Sequence, residues 1–277
     1  MAGQQQTHFL SNLVGISGHA GAIVFAPQEY NAGMLSVREH VLTPTATLAV
    51  DVVVFTLRPD TVERAWQVLL VPRPDPWSIS RRALPGVLVD EDETFDEAAR
   101  RALLVKTGID ARDWYLEQLA TFGSPTRDSR GRVASISHIA LIQSDNIKIH
   151  PVETDSPAEW CPVTAIPWSD LAFDHAAILR EAINRVRGKV RYAWVLFQLL
   201  PPIFTMSDLR AAYAAIRDPS VLNMSTSNVR KLFRRLIDDQ ALVAVGKRAE
   251  ARGRGRPGDL FRFDGPLTGT WDRELPW

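Results

Sequence analysis

The chain has 277 residues, enough for one large domain or two ordinary ones with ample core. Its 32 basic and 32 acidic side chains cancel, so total charge excludes no class of partner, but the charge is unevenly spread. Residues 189–265 hold fourteen Lys and Arg against seven Asp and Glu, a surplus of +7, and the remainder is acidic by the same amount. One cysteine, Cys161, excludes an intramolecular disulfide framework and suits a reducing cytoplasm. No apolar run approaches the ~20 residues a membrane helix needs, so a membrane partner is not expected.

Residues 1–44 are rich in Gln, Gly and Ala, and no Lys or Arg precedes Arg38. They lack the basic start and continuous apolar core of a secretory signal. They are expected to form a poorly ordered extension, with Met34 as one later candidate start. From Thr45 the pattern tightens. Residues 48–57 (LAVDVVVFTL) and 66–73 (WQVLLVPR) read as strands separated by an Arg58-Pro59-Asp60 turn. A proline-rich loop, 72–80, follows.

Residues 82–109 (RALPGVLVDEDETFDEAARRALLVKTGI) organise the first half of the chain. They read as a strand end, a Pro85-Gly86 turn, an acidic loop and a helix closed by Gly108, with Phe95, Ala98, Ala99, Ala102, Leu103 and Val105 at helical spacing. The run resembles the Nudix box, with which Nudix hydrolases hold magnesium against a diphosphate. In that pattern the first glycine falls on Val87. Glu93, Arg101, Leu103, Gly108 and Ile109 fit, but the three later glutamate positions hold Ala102, Val105 and Lys106. Such positions lie three and four apart on one helix face, where carboxylates would share a hard cation. An alanine, a valine and an ammonium cannot do this. Glu93, Arg101 and the turn glycine are therefore read as structural, and no metal site and no catalytic residue is expected.

Strands are expected at 115–122 and 133–143, separated by the polar loop 123–132 (GSPTRDSRGR). A short strand is expected within 157–167, and a helix over 171–187. Strands around one helix and closed by another imply an α/β sandwich, and the Nudix fold is such a sandwich. The segments 121–132, 171–175 (LAFDH) and 187–209 narrow the resemblance. They are similar to the Nudix-related bacterial transcriptional regulators of NAD metabolism, over roughly residues 45–263. That resemblance implies a degenerate Nudix-like sensor domain (45–188), a mostly helical winged helix-turn-helix (189–265) and a tail (266–277). It also implies a dimeric repressor of NAD biosynthesis or salvage genes that binds ADP-ribose or a related NAD metabolite and requires no cofactor.

The C-terminal region supports this on its own residues. Thr205 or Ser207 can cap a helix running to about Arg217, with Leu209, Ala212, Tyr213 and Ile216 inward. After a turn at 218–224, Ser225, Thr226 and Ser227 offer caps for a second helix, 228–240. Its buried stripe is Val229, Leu232, Phe233, Leu236 and Ile237, leaving Asn228, Arg230, Lys231, Arg234 and Arg235 largely outside. A second helix that is basic and polar at its start fits helix-turn-helix docking on double-stranded operator DNA. Asn can read adenine and Arg or Lys guanine, while Ser and Thr hold phosphates. Strands at 241–246 and 260–263 flank a wing whose Arg252, Arg254 and Arg256 suit a minor groove or the backbone.

Candidate nucleotide contacts are Arg127, Asp128 and Arg130 in the polar loop, with Arg73, Arg82, Phe122 and His175 around the expected pocket. The arginines suit a diphosphate through paired hydrogen bonds. A loop cap, a rim salt bridge and, for His175, a structural hydrogen bond are the competing readings. The six histidines show no metal-ligand spacing. The apolar segment 192–200 is read as interdomain or dimer core. The competing function is a Nudix hydrolase of a nucleoside diphosphate derivative, which the missing carboxylates disfavour.

Overall fold

The computed structural model describes residues 46–58, 66–73, 81–112, 114–143, 149, 158–217, 226–248 and 258–265. The expected extension 1–44, the C-terminal tail 266–277 and the wing arginines Arg252, Arg254 and Arg256 lie outside the described residues.

Strand β1 (Thr47–Leu57) is the spine. It pairs in parallel with β6 (Val133–Gln143) and antiparallel with β2 (Trp66–Pro72) and with β4 (Gly86–Leu88). Strands β3 (Arg82–Ala83), β5 (Tyr115–Phe122) and β7 (Glu159–Pro162) complete a seven-stranded mixed sheet of order β3-β2-β1-β6-β5, with β4 on β1 and β7 on β2. Side chains of β1 alternate between two cores, as strand geometry requires. Val50, Val52 and Val54 meet Ala98, Ala99, Ala102 and Leu103 of helix α1 (Phe95–Thr107). Val53, Phe55 and Leu57 share a core with Ile178, Leu179, Ala182 and Ile183 of helix α2 (His175–Lys189). The sheet thus lies between two helices, the expected α/β sandwich.

Helix α1 begins at a capping box: Thr94 accepts from the Glu97 N–H, and the Glu97 carboxylate accepts from the Thr94 N–H. Such a cap contributes about 1 kcal/mol. Gly108, at φ 73°, ends the helix in the left-handed conformation that glycine adopts without steric cost. Of the residues at helical spacing, Phe95 is 38% exposed and Val105 half-buried. Small alanines carry the helix–sheet contact instead. Helix α2 starts at His175 rather than at residue 171, because Phe173 has φ 51° and a right-handed helix cannot run through it.

The α2-side core continues into the C-terminal part of the chain. A buried 3-10 turn, Trp194–Gln198, joins β1 and α2 to strand β8 (Ile203–Thr205) and helices α3 (Met206–Ile216) and α4 (Thr226–Asp238). Phe197 stacks on Phe263 at 4.1 Å, and Trp194 lies against both rings. Residues 193–200 therefore pack between the sandwich and the C-terminal helices, while Tyr192, expected with them, is 39% exposed. Thr205 caps α3 through a second capping box with Asp208. Strands β9 (Leu242–Arg248) and β10 (Asp259–Phe263) form a three-stranded sheet with β8, in the order β8-β10-β9. Leu232, Phe233 and Leu236 bury one face of α4. Ile237, expected in that stripe, is 44% exposed, because it lies one position, about 100° round the helix, from the fully buried Leu236.

Candidate functional site: a cationic cavity and a basic helix

A cavity of about 430 Å³ opens where β1, β4, the loop 123–132 and the start of α2 converge. Its floor is ionic. Asp51 interrupts the apolar run of β1 and is buried, a costly placement unless the charge is paired. The Arg127 guanidinium donates to Asp51 Oδ2 at 3.1 Å and, in paired fashion, to Asp174 Oδ1 and Oδ2 at 2.8 and 3.0 Å. His175 accepts the Leu84 N–H on Nδ1 at 3.0 Å, which leaves its proton on Nε2, 3.4 Å from Asp51 Oδ1. Burial raises the Asp51 pKa, but His175, a hydrogen bond from Ser135 and the Arg127 charge outweigh it and hold the carboxyl below its ordinary value. Burial likewise works against the Arg127 charge, and Asp174 and Asp51 reverse the balance and raise its pKa. Asp174 stands at the N-cap position of α2 yet makes no side-chain cap, since its carboxylate is engaged by Arg127.

Gly86 lets β4 cross close to this network. A Cβ there would lie 2.3 Å from Asp51 Oδ1 and 3.0 Å from the Val50 carbonyl oxygen. The mouth carries Phe173, with the Arg73 guanidinium 4.2 Å and that of Arg130 5.2 Å from its ring centroid. Asp128 accepts from Arg130 through both carboxylate oxygens, and that pairing lowers its pKa.

Of the sequence candidates, Arg73, Arg127, Asp128, Arg130 and His175 all line this cavity. Two do not. Arg82 turns away to Glu159 and to Asp170, whose Oδ2 is 3.8 Å from its Nε. It is a rim ion pair, because β3 directs it towards β7 and the chain ahead of α2. Phe122 ends β5, which β6 separates from β1, and it packs half-buried against the α2-side core. Sequence reasoning passed over Asp51, Asp174, Gly86 as a spacer, and Phe173. The available signal was the lone carboxylate among ten apolar or β-branched neighbours of β1.

The box residues divide in the same manner. Glu93 accepts from Arg101 on both oxygens and from the Asp90 N–H, and Arg101 also donates to the Leu88 carbonyl. These bonds brace the acidic loop against α1, and the Arg101 pairing lowers the Glu93 pKa. Ala102 is fully buried, Val105 is half-buried, and Lys106, like Val87, lines the cavity. A magnesium ion needs oxygen donors, and this face presents a methyl, an isopropyl and an ammonium group. The residues do not fit the metal of the Nudix box. Among the described residues no group of three or more His, Cys, Asp or Glu is placed to hold an ion.

In the C-terminal half, α4 exposes Ser227, Arg230, Lys231 and Arg234 along one side and buries Leu232, Phe233 and Leu236 along the other. The side chains of Thr226 and Asn228 lie outside the described residues. Arg235 is turned to Asp239, at 3.5 Å. Among the described residues no helix is long and apolar enough to cross a membrane.

A sandwich with a box helix and a cationic cavity, continued into a winged helix with a basic exposed face, is the architecture of a Nudix-type domain fused to a winged helix-turn-helix. Residues 47–185 match the NUDIX domain family, and residues 196–263 match the NrtR DNA-binding winged helix domain. The ADPR-responsive transcriptional repressor NtrR of Acinetobacter baylyi is 33% identical over 224 residues, 79% of this chain and 83% of the relative. The crystal structure of Shewanella oneidensis NrtR superposes with a TM-score of 0.67 at 27% identity, covering 83% of this chain and 100% of that one. The same protein complexed with a 27mer DNA gives 0.65 at 28%, covering 83% and 99%. An ADP-ribose pyrophosphatase of Methanocaldococcus jannaschii is 32% identical over 127 residues, 46% of this chain and 72% of that protein. The chain belongs to the NrtR family of Nudix-related transcriptional regulators.

Proposed function

We propose that this chain is a transcriptional repressor of NAD biosynthesis or salvage genes, and that its Nudix-like domain senses ADP-ribose or a related NAD metabolite without hydrolysing it. One observation carries the reading. A box helix stripped of its metal-holding carboxylates borders a cation-lined cavity, in the same chain as a winged helix with a basic exposed α4. The Acinetobacter relative responds to ADP-ribose by name, and the Shewanella relative binds DNA. A diphosphate would meet Arg73 and Arg130 at the mouth, with Arg127 and His175 fixing the floor. Thr226, Ser227 and Asn228 at the start of α4 would meet phosphates and base edges, and Arg230, Lys231 and Arg234 would follow in the major groove. Arg252, Arg254 and Arg256 in the wing would reach the minor groove or the backbone. The protein would act as a two-fold homodimer on operator half-sites in the cytoplasm, with residues 45–188 as sensor and 189–265 as DNA-binding domain.

Helix α2 supplies the route between the two. Its start carries Asp174 and His175 of the cavity floor. At its far end Arg187 donates to the Ile216 carbonyl of α3 at 3.1 Å, and Tyr213 of α3 donates to the Val190 carbonyl at 3.4 Å. A ligand that prefers one setting of α2 shifts the equilibrium between two spacings of the recognition helices by the difference in its affinity for the two settings, and by no more.

The hydrolase reading draws on the likeness of the Nudix part to the pyrophosphatase, and the box face disfavours it. The test pairs two assays on the full chain: binding to DNA from NAD-gene promoters at two salt concentrations, and ADP-ribose turnover with magnesium. Sequence-specific, salt-sensitive binding without turnover is the expected outcome. Turnover without specific DNA binding would replace the repressor with an enzyme.

A further inference from the structure

The disagreement between the box helix and the metal it would ordinarily hold has a chemical consequence at one residue. Lys106 stands in the last turn of α1, half-buried, where a Nudix box would place a glutamate, and it lines the same cavity as Arg73 and Arg130. Three features of its surroundings point one way. The C-terminal end of a helix carries partial negative charge, so a lysine is favoured there and glutamates require a cation beside them. The neighbouring box positions carry no carboxylate to hold a metal, since Ala102 is sealed in the sheet-side core and Val105 is apolar. The ionisable lining is Lys106, Arg73, Arg127, Arg130 and His175 against Asp51 and Asp128, and with Asp174 also paired to Arg127 the four cations still outnumber the carboxylates.

We infer that the Lys106 ammonium takes the place of magnesium as the counter-charge to the diphosphate of a nucleotide effector, which makes binding at this site independent of divalent metal. The inference rests on the reading that the cavity holds such a nucleotide. An ammonium serves this purpose as a compact charge with three N–H donors for phosphate oxygens. It cannot coordinate and activate a water as a metal does. The same substitution that ends metal chemistry thereby turns the site from a cation holder into an anion holder.

Calorimetric titration of the full chain with ADP-ribose, in EDTA and again in excess magnesium, tests this directly. Equal affinity in the two buffers is expected. Lys106→Met, which keeps the aliphatic stem, should weaken binding by about tenfold or more, the size of one lost charge-assisted contact. Lys106→Arg should restore most of it, and Lys106→Glu should abolish binding in EDTA. Circular dichroism melts of each variant separate loss of fold from loss of ligand. Wild-type binding that requires magnesium overturns the inference and leaves the effector reading intact. So does a folded Lys106→Met that binds as well as the parent. No binding of ADP-ribose in either buffer overturns both.

Discussion

Arg127 and Asp174, 47 residues apart in sequence, meet through paired hydrogen bonds, Nη2 to Oδ1 at 2.8 Å and Nε to Oδ2 at 3.0 Å. The same Nη2 also reaches Asp51. This fork closes the cavity floor and fixes the loop 123–132 to the start of α2. The Arg127 side chain is only 3% exposed, so solvent cannot replace it. Arg127→Ala leaves Asp51 buried without its guanidinium, and breaking a buried pair in this way costs about 3–5 kcal/mol. Urea unfolding should show that loss. Arg127→Lys should recover only part of it, because an ammonium cannot bond both carboxylates in the fork geometry.

Gly86→Ala should be damaging although no positive φ is involved. The new methyl would overlap the Asp51 carboxylate, and the nearby Val50 carbonyl is backbone that cannot swing aside. Overpacking of this kind costs about 1–3 kcal/mol. The melting temperature should fall, and ADP-ribose affinity should fall with it, since the displaced Asp51 anchors both Arg127 and His175.

Much of the fold was legible because its signals are local. Strands β5 and β6 follow alternating or apolar runs with turn residues at both ends, α1 announces itself by helical spacing and Gly108, and α3 by a Thr205 or Ser207 cap with Leu209 and Tyr213 inward. The start of α2 was placed too early because the left-handed turn at Phe173 is set by packing of the ring beside His175 and under Arg73, which periodicity does not encode. The cavity was half legible. Arginines in a turn-rich loop were visible as candidates, but which of them reach the cavity depends on strand order. That order sends Phe122 to the far side of β6 and gives Arg82 to Glu159 and Asp170. The buried partners Asp51 and Asp174 emerge only when β1 and α2 are brought together.

Acid should destabilise the protein in a defined window. Asp51, Asp128 and Glu117 all have pKa values below their ordinary 3.8, 3.8 and 4.5. For Asp128 the main cause is Arg130. For Asp51 and Glu117 burial pushes the other way, and partners (His175 foremost for Asp51, Lys189 for Glu117) prevail. The unfolded chain then binds more protons than the folded one, so stability rises with pH. These contributions are complete above the ordinary carboxylate values and vanish as pH falls through the lower folded values. Melting temperature should be level from neutral pH to about 5 and drop below about 4. Glu117→Gln should flatten the drop by removing the carboxylate that meets Lys189 and Arg185.

On DNA, the exposed cations of α4 should act separately from the wing. Arg230→Ala, Lys231→Ala and Arg234→Ala should each weaken operator binding. A residue that touches only phosphate should reduce the log–log salt slope by about one without changing sequence preference. A residue that reads a base should cost about 1–3 kcal/mol on the operator and little on unrelated DNA. Anisotropy titrations over a salt series distinguish the two.

The most direct test of the whole account is to add ADP-ribose to the full chain bound to its operator, without metal, and follow anisotropy of the labelled DNA. Saturable release of the DNA, with the ADP-ribose recovered intact, is the expected result. DNA that stays bound while ADP-ribose saturates the protein, or ADP-ribose cleaved as the DNA is released, would contradict it.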